Sequence, residues 1–169
     1  MLNKLAEITL KSQIVKNNLA RQKQFLPWDK IQKIALVISK DNTINKSAID
    51  KFITDSQKHI EVFFIELNSK EPSFGDWKCF TNKDKTLLSL PKNTTIDGFK
   101  DKKFDLVINA ANHFPLFASA VTSLLKAPLK CSQATNYNEA ELIIEKTTPF
   151  NLINYLNDVV KYLKMIKTN

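Results

Sequence analysis

The sequence predicts a three-layer α/β sandwich of the Rossmann-like or flavodoxin-like class, with a mainly parallel sheet of about five strands. Short, continuous apolar runs support this prediction, because strands covered by helices on both faces lack the polar alternation of half-exposed strands. The first two runs flank a helical segment, which is the pattern of a βαβ unit with a right-handed crossover. At 169 residues and 43% hydrophobic, the chain is large enough for one such core.

Residues 2–24 contain neither proline nor glycine and predict a basic amphipathic helix ahead of the sheet. Its apolar residues recur at helical spacing and form one stripe: Leu5, Ile8, Val15 and Leu19. Either the stripe packs against the domain, or the helix is an arm that binds an anionic surface or a partner. We therefore divide the chain into the helix, residues 1–28, packed on or flanking the domain, and a single α/β domain, residues 29–169.

The first strand is predicted at residues 34–39 and the second at residues 60–67, since both runs are rich in β-branched or aromatic residues. A helix over residues 46–57 joins them, and Asn45 is suited to cap its start. Residues 68–103 are polar and rich in lysine. We expect mostly loop there, with short strands or turns that pin its few large apolar side chains to the body.

A third strand is predicted at residues 104–110, a helix of small residues at 114–126, and a fourth strand at 129–133. A fifth strand follows at 140–145, and a strongly amphipathic helix over 151–167 closes the chain. The few residues between the fourth and fifth strands are too short for a usual parallel crossover. The fifth strand is therefore expected either to be antiparallel or to pair elsewhere.

The net charge of +8 is regional: residues 1–32 carry six basic and two acidic groups, and residues 68–104 carry eight and five. Such lysines can neutralise a polyanion, and the candidate partners are RNA, a ribosome or an acidic protein. The alternative is a solvated surface that reflects genome composition. Because Arg21 is the only arginine, no DNA sequence readout is expected. The residues predicted to meet an anionic partner are Lys4, Lys11, Lys16, Arg21, Lys23, Lys78, Lys83, Lys85, Lys100, Lys102 and Lys103.

In an open parallel sheet, ligands bind beyond the carboxyl ends of the strands, at a topological switch point. The polar loop after the first strand contains no glycine, so a standard nucleotide-phosphate cradle is not expected. The loops after the first and third strands still offer five candidate ligand-binding residues: Ser39, Lys40, Asn109, Asn112 and His113. Helix capping by Asn112 and a backbone contact by His113 are the alternative roles.

No metal spacing or catalytic constellation is recognisable, so we expect no cofactor and favour a protein that is not an enzyme. Cys79 and Cys131 lie far apart in the sequence without a CxxC pair, which fits a reducing compartment. The first residues lack the pattern of a secretory signal, and polar residues and a proline interrupt the longest uncharged run, 106–125. We expect no transmembrane segment and a cytoplasmic location.

Several segments carry a resemblance: Phe104–Asn109, Lys126–Lys130, Glu141–Glu145, Pro149–Phe150 and Tyr162–Ile166. Together with the basic first helix and the Trp77–Phe80 segment, they resemble an uncharacterised family of small Bacteroidota proteins with no assigned function. This resemblance covers most of the chain and implies no catalytic residue. A shorter stretch around Phe104–Asn109 resembles the amino-terminal half of bacterial heptosyltransferases, but this chain lacks the second Rossmann-like domain of that family.

Two functions follow as hypotheses. The first is a non-enzymatic binding or scaffold module for an anionic partner, using the basic helix and the lysine-rich segment. The alternative is a small-ligand-binding or enzyme domain for a nucleotide, nucleotide-sugar or sugar phosphate at the C-terminal edge of the sheet. Attachment to a membrane surface through the first helix would require more bulky apolar residues than that helix obviously presents.

Overall fold

The computed structural model describes residues 2–41, 44–133, 137–145 and 147–167. The helices are α1 (Leu2–Leu19), α2 (Lys46–Ser56), α3 (Asn93–Asp97), α4 (Pro115–Leu124) and α5 (Leu152–Met165). The strands are β1 (Lys33–Ser39), β2 (His59–Ile65), β3 (Lys78–Phe80), β4 (Leu106–Asn109), β5 (Leu129–Ser132) and β6 (Leu142–Ile143). Within these ranges, no helix is both long enough and apolar enough to cross a membrane.

The six strands form one parallel sheet in the order β3-β2-β1-β4-β5-β6. This confirms the predicted Rossmann-like α/β class, with six strands instead of about five. The chain runs outward from β1 to β2 and β3, then returns past β1 to β4 and continues the other way. The topological switch point therefore lies between β1 and β4, beyond Ser39 and Asn109.

Alternating residues of β1 show how the three layers are built. Ile34, Leu36 and Ile38 join the hydrophobic core with α2 and α5 on one face of the sheet. Ala35 and Val37 join a second core with α4 on the other face. Every one of these side chains is buried, so the strand has no polar face and reads as a continuous apolar run.

α1 packs mainly on α4. Leu10 and Ile14 are buried in a small core with Ala120 of α4, and the side-chain amides of Gln13 and Asn17 donate to Ser123 at the end of α4. The stripe that the sequence indicates does not pack against the domain, which contradicts the first of its two alternatives. That stripe faces solvent, with each side chain between 52% and 83% exposed: Leu5, Ile8, Val15 and Leu19.

One strand agrees with the expectation of short strands or turns in the lysine-rich segment, and another departs from the sequence predictions. β3 lies in the segment where mostly loop was expected, and it adds to β2 with the buried Phe80 at its end. β6 pairs in parallel with β5, so the expectation of an antiparallel or distant strand is wrong. β6 is only two residues long, so a parallel connection has to return over about 7 Å, less than the return along a strand of usual length.

Candidate functional site

The switch point between β1 and β4 is occupied by the protein's own polar groups. The Ser39 hydroxyl accepts a hydrogen bond of 2.8 Å from the backbone N–H of His113, which holds the loop after β4 over the end of β1. The Asn109 side chain donates to Glu139 at 3.1 Å and accepts from the Ala111 N–H at 3.2 Å. The Ser119 hydroxyl donates to the same Glu139 oxygen at 3.0 Å.

Lys40 lies beside the neighbouring strand end, where its ammonium group contacts the buried carboxylate of Glu66 at 3.3 Å and the Ser73 hydroxyl at 3.0 Å. The Glu66 carboxylate also accepts hydrogen bonds of 2.6 Å from the Ser73 backbone and hydroxyl. Burial favours the neutral acid, but these bonds outweigh it and lower the pKa of Glu66. Lys40 and Glu66 thus anchor the loop that follows β2.

Asn112 does not occupy the N-cap position of α4, so the alternative role as a helix cap is wrong. Phe114 holds the N-cap position with a φ of 56°, in the left-handed region, and its side chain provides no capping bond. His113 is exposed and its ring contacts Phe114, while Asn112 is half-buried. The structure brings Ser39, Asn109 and His113 close at one edge, and the ligand role of the five predicted residues stays a prediction.

A cavity that the sequence did not indicate lies beside this edge, between the first half of α1, the start of α4 and the turn at residues 85–90. Its volume is about 310 Å³. Buried Leu67 and Phe117 form part of its wall, and Glu7 and Lys85 contribute opposite charges. Glu7 is the one acidic residue of α1, which was the available signal in the sequence, but Lys85 on the other side of the cavity comes from a distant segment.

The second candidate site is the surface of α1 that points away from α4. We call it the α1 outer face and define it by two sets of residues: the exposed apolar Leu5, Ile8, Val15 and Leu19, and the flanking Lys4, Lys11 and Lys16. At about 100° per residue, Lys4 and Lys11 border the apolar stripe on one side and Lys16 borders it on the other. Across the described ranges, no carboxylate lies within ion-pair distance of these three lysines.

The other two basic residues predicted in this region, Arg21 and Lys23, lie just beyond the end of α1 and contact the same carboxylate of the domain. The Arg21 guanidinium forms a bidentate ion pair with Glu141, and it also donates to the backbone oxygens of Ala127 and Pro128. The side chains of Arg21 and Glu141 are only 9% and 10% exposed. Burial alone would raise the pKa of Glu141, but the hydrogen bonds and charge of Arg21 lower it. Lys23 adds a contact of 3.3 Å to the same carboxylate.

The lysine-rich segment after β3 is partly neutralised within the protein. Three of its six candidate lysines form ion pairs: Lys83 with Glu71, Lys100 with Asp97, and Lys102 with Glu61. Lys78 and Lys103 are exposed, and Lys85 is half-buried beside the cavity. Within the described residues, three candidate lysines without an ion pair therefore remain in each region, and only those on the α1 outer face flank an exposed apolar stripe.

Similarity to known proteins gives a family but no activity. The profile of a family of unknown function, DUF6913, matches residues 3–166. The chain belongs to this family. The match begins inside α1 and ends beyond α5, so both the basic helix and the α/β domain are part of what the family shares. No curated protein and no solved structure matches the chain.

Proposed function

We propose that this DUF6913 protein is a non-enzymatic binding module that docks an acidic, amphipathic segment of a partner protein on the α1 outer face. The observation that carries the proposal is an apolar stripe left in solvent on the helix side opposite the packed one. The lysines that flank it form no ion pair with any residue that the structure describes. Contiguous apolar surface of this kind on a folded domain marks interaction sites.

The apolar stripe supplies the larger part of the expected affinity. Burying a fully exposed leucine or isoleucine gains about 1.5–3 kcal/mol, and the stripe offers four side chains that are more than half exposed. Helix-in-groove and helix-on-helix partners use residues at this spacing. The hydrogen bonds from Gln13 and Asn17 to Ser123 hold α1 on the domain, so the outer face is presented as a preformed surface.

The flanking lysines select the partner. Two copies of the outer face would bring six lysines together, and like charges across an interface oppose association. A partner helix with acidic residues beside its own apolar stripe would satisfy both sets of groups. RNA or a ribosomal RNA surface would use the lysines but leave the aliphatic stripe unused, since Leu, Ile and Val offer no aromatic ring for base stacking.

The test uses a defined probe, a helical peptide as long as α1 (18 residues) with leucines on one face and flanking glutamates. We expect fluorescence anisotropy to show binding that weakens with salt, and no binding of the same peptide with lysines in place of glutamates. Replacing both Leu5 and Leu19 with glutamine should weaken binding about tenfold or more, since each loses roughly 1 kcal/mol of burial. The matched control is Leu87→Gln, because Leu87 is 97% exposed on a different segment.

Several outcomes would contradict this proposal. One is equal binding of the two peptides, and another is an equal loss of affinity in the Leu87→Gln control. Tighter binding of a single-stranded RNA or of vesicles containing phosphatidylserine, unchanged by the Leu5 and Leu19 substitutions, would assign the lysines to a polyanion instead. Folding of each variant is checked by circular dichroism, so that a loss of affinity reports the surface.

The alternative small-ligand function stays a prediction for the residues at the switch point. It requires that a nucleotide or sugar phosphate raise the Tm of the protein. Substitution of Asn109 or His113 should then remove the shift.

Our proposal also places the protein in the cytoplasm, because its two cysteines are unbridged thiols and suit a reducing compartment. The similarities to small Bacteroidota proteins and to heptosyltransferases stay resemblances, and neither indicates a binding residue on the α1 outer face.

A further inference from the structure

The cavity beside α4 has the form of a small-molecule site. Its volume of about 310 Å³ is near the lower end for ligand pockets, which favours a small metabolite over a nucleotide. Four residues give it an apolar wall: Leu67, Phe114, Leu116 and Phe117. Leu67 and Phe117 are almost completely buried, so the wall belongs to the core and is rigid.

Opposite charges line this apolar wall. Glu7 reaches the cavity from α1, and Lys85 reaches it from the turn before α3. They do not form an ion pair with each other, and within the described residues neither has another ion-pair partner. The cavity thus presents one carboxylate and one ammonium group to whatever occupies it.

The backbone around the cavity is also unusual. Ser89 and Phe114 both line it, and both have left-handed backbone conformations, with φ of 57° and 56°. Such conformations are uncommon for residues other than glycine and are costly for a bulky side chain such as phenylalanine. They set the direction of the chain where the turn and the start of α4 form the cavity wall.

We propose that this cavity binds a zwitterion with an apolar body, namely a free α-amino acid with a large aliphatic or aromatic side chain. The ligand carboxylate meets Lys85, the ligand ammonium group meets Glu7, and the side chain lies against Leu67 and Phe117. A ligand with a single charge would leave one of the two lining charges without a counter-charge as the cavity loses water. This site shares no residue with the α1 outer face, although Glu7 lies one helical turn from Lys4 and Lys11.

The first measurement is thermal unfolding of the full chain with L-leucine and L-phenylalanine. At about ten times Kd, we expect the Tm to rise by about 3 to 6 °C. Two analogues of phenylalanine test the charges without changing the protein: phenethylamine lacks the carboxylate, and 3-phenylpropionate lacks the ammonium group. Each should produce less than a third of the shift at the same concentration.

Variants then assign the charges to residues. Glu7→Gln and Lys85→Met should each remove the shift, while the controls Glu145→Gln and Lys161→Met, at exposed positions elsewhere, should keep it. Isothermal titration on the same proteins provides a second readout if a variant melts at a different temperature. Equal shifts with the single-charge analogues would refute the zwitterion. An absence of binding by both methods at millimolar amino acid would refute the site.

Discussion

Lys130 provides a direct test of the electrostatics inside the fold. Its side chain is only 1% exposed, and its ammonium group donates to the backbone oxygens of Thr122 and Ser123, at 2.7 and 2.9 Å, in the last turn of α4. Burial lowers the pKa of Lys130 from its usual 10.5 to about 7, and the positive charge of Arg21 acts in the same direction. Substitution of Lys130 with methionine keeps the length of the side chain and removes the titrating group.

The size of the effect follows from these two pKa values. Between pH 7 and 10.5 the unfolded chain holds a proton on Lys130 that the folded protein releases, so the free energy of unfolding rises with pH in this window. From pH 7 to pH 9 the gain is about 2 kcal/mol. Below pH 7 the lysine is protonated in both states, and its contribution becomes constant.

The assay is urea unfolding at pH 7, 8 and 9 for the wild type, Lys130→Met and the exposed control Lys161→Met. The difference between wild type and Lys130→Met cancels the pH dependence of every other group, including the buried Cys131 thiol, whose pKa burial raises to about 12. Wild type and Lys161→Met should gain the extra 2 kcal/mol, and Lys130→Met should not. Parallel curves for all three proteins would refute the reasoning, since the buried amine would then stay charged throughout.

Four further substitutions test the packing of α1, the ion pair just beyond its end, and the cap of α2. Leu10→Ala should lower the free energy of unfolding by about 2–5 kcal/mol, and the exposed Leu5→Ala by less than about 0.5 kcal/mol; similar losses would contradict the assignment of the two helix faces. Arg21→Met should cost about 3–5 kcal/mol by leaving Glu141 buried without its partner, measured by urea unfolding. Asn45→Ala removes the cap bond of 3.1 Å to the Ala48 N–H and should cost about 1 kcal/mol, whereas an unchanged Tm would show the cap to be dispensable.

The central strands were predictable because burial on both faces leaves a signature in the sequence. The runs at Ile34–Ser39 and Leu106–Asn109 contain almost no charge, and they form β1 and β4 at the centre of the sheet. The Asn45 cap was predictable for a similarly local reason, since its bond spans three residues. Edge strands carry no such signature: β3 is three residues long and begins with an exposed lysine.

The orientation of α1 shows what a periodicity argument leaves open. The helix has two apolar stripes, and the sequence left open whether the first, formed by Leu5, Ile8, Val15 and Leu19, packs against the domain. The structure buries the other, where Ala6, Leu10 and Ile14 pack and the amides of Gln13 and Asn17 meet Ser123 on α4. Which stripe faces the domain depends on the shape and hydrogen-bonding groups of α4, more than 100 residues away, and these do not appear in the local pattern of α1.

Both edge strands of the sheet are short: β3 has three residues and β6 has two. An open strand edge is a row of unpaired backbone groups onto which another chain can add, and natural proteins shorten such edges to prevent uncontrolled aggregation. Edge strands this short offer an incoming strand few backbone groups for hydrogen bonding, so its pairing register would be poorly fixed. Short edges therefore favour partners that recognise side chains on the helices over partners that add a strand to the sheet. The protein can expose an apolar helix face without also exposing a long strand edge on which fibrils could grow.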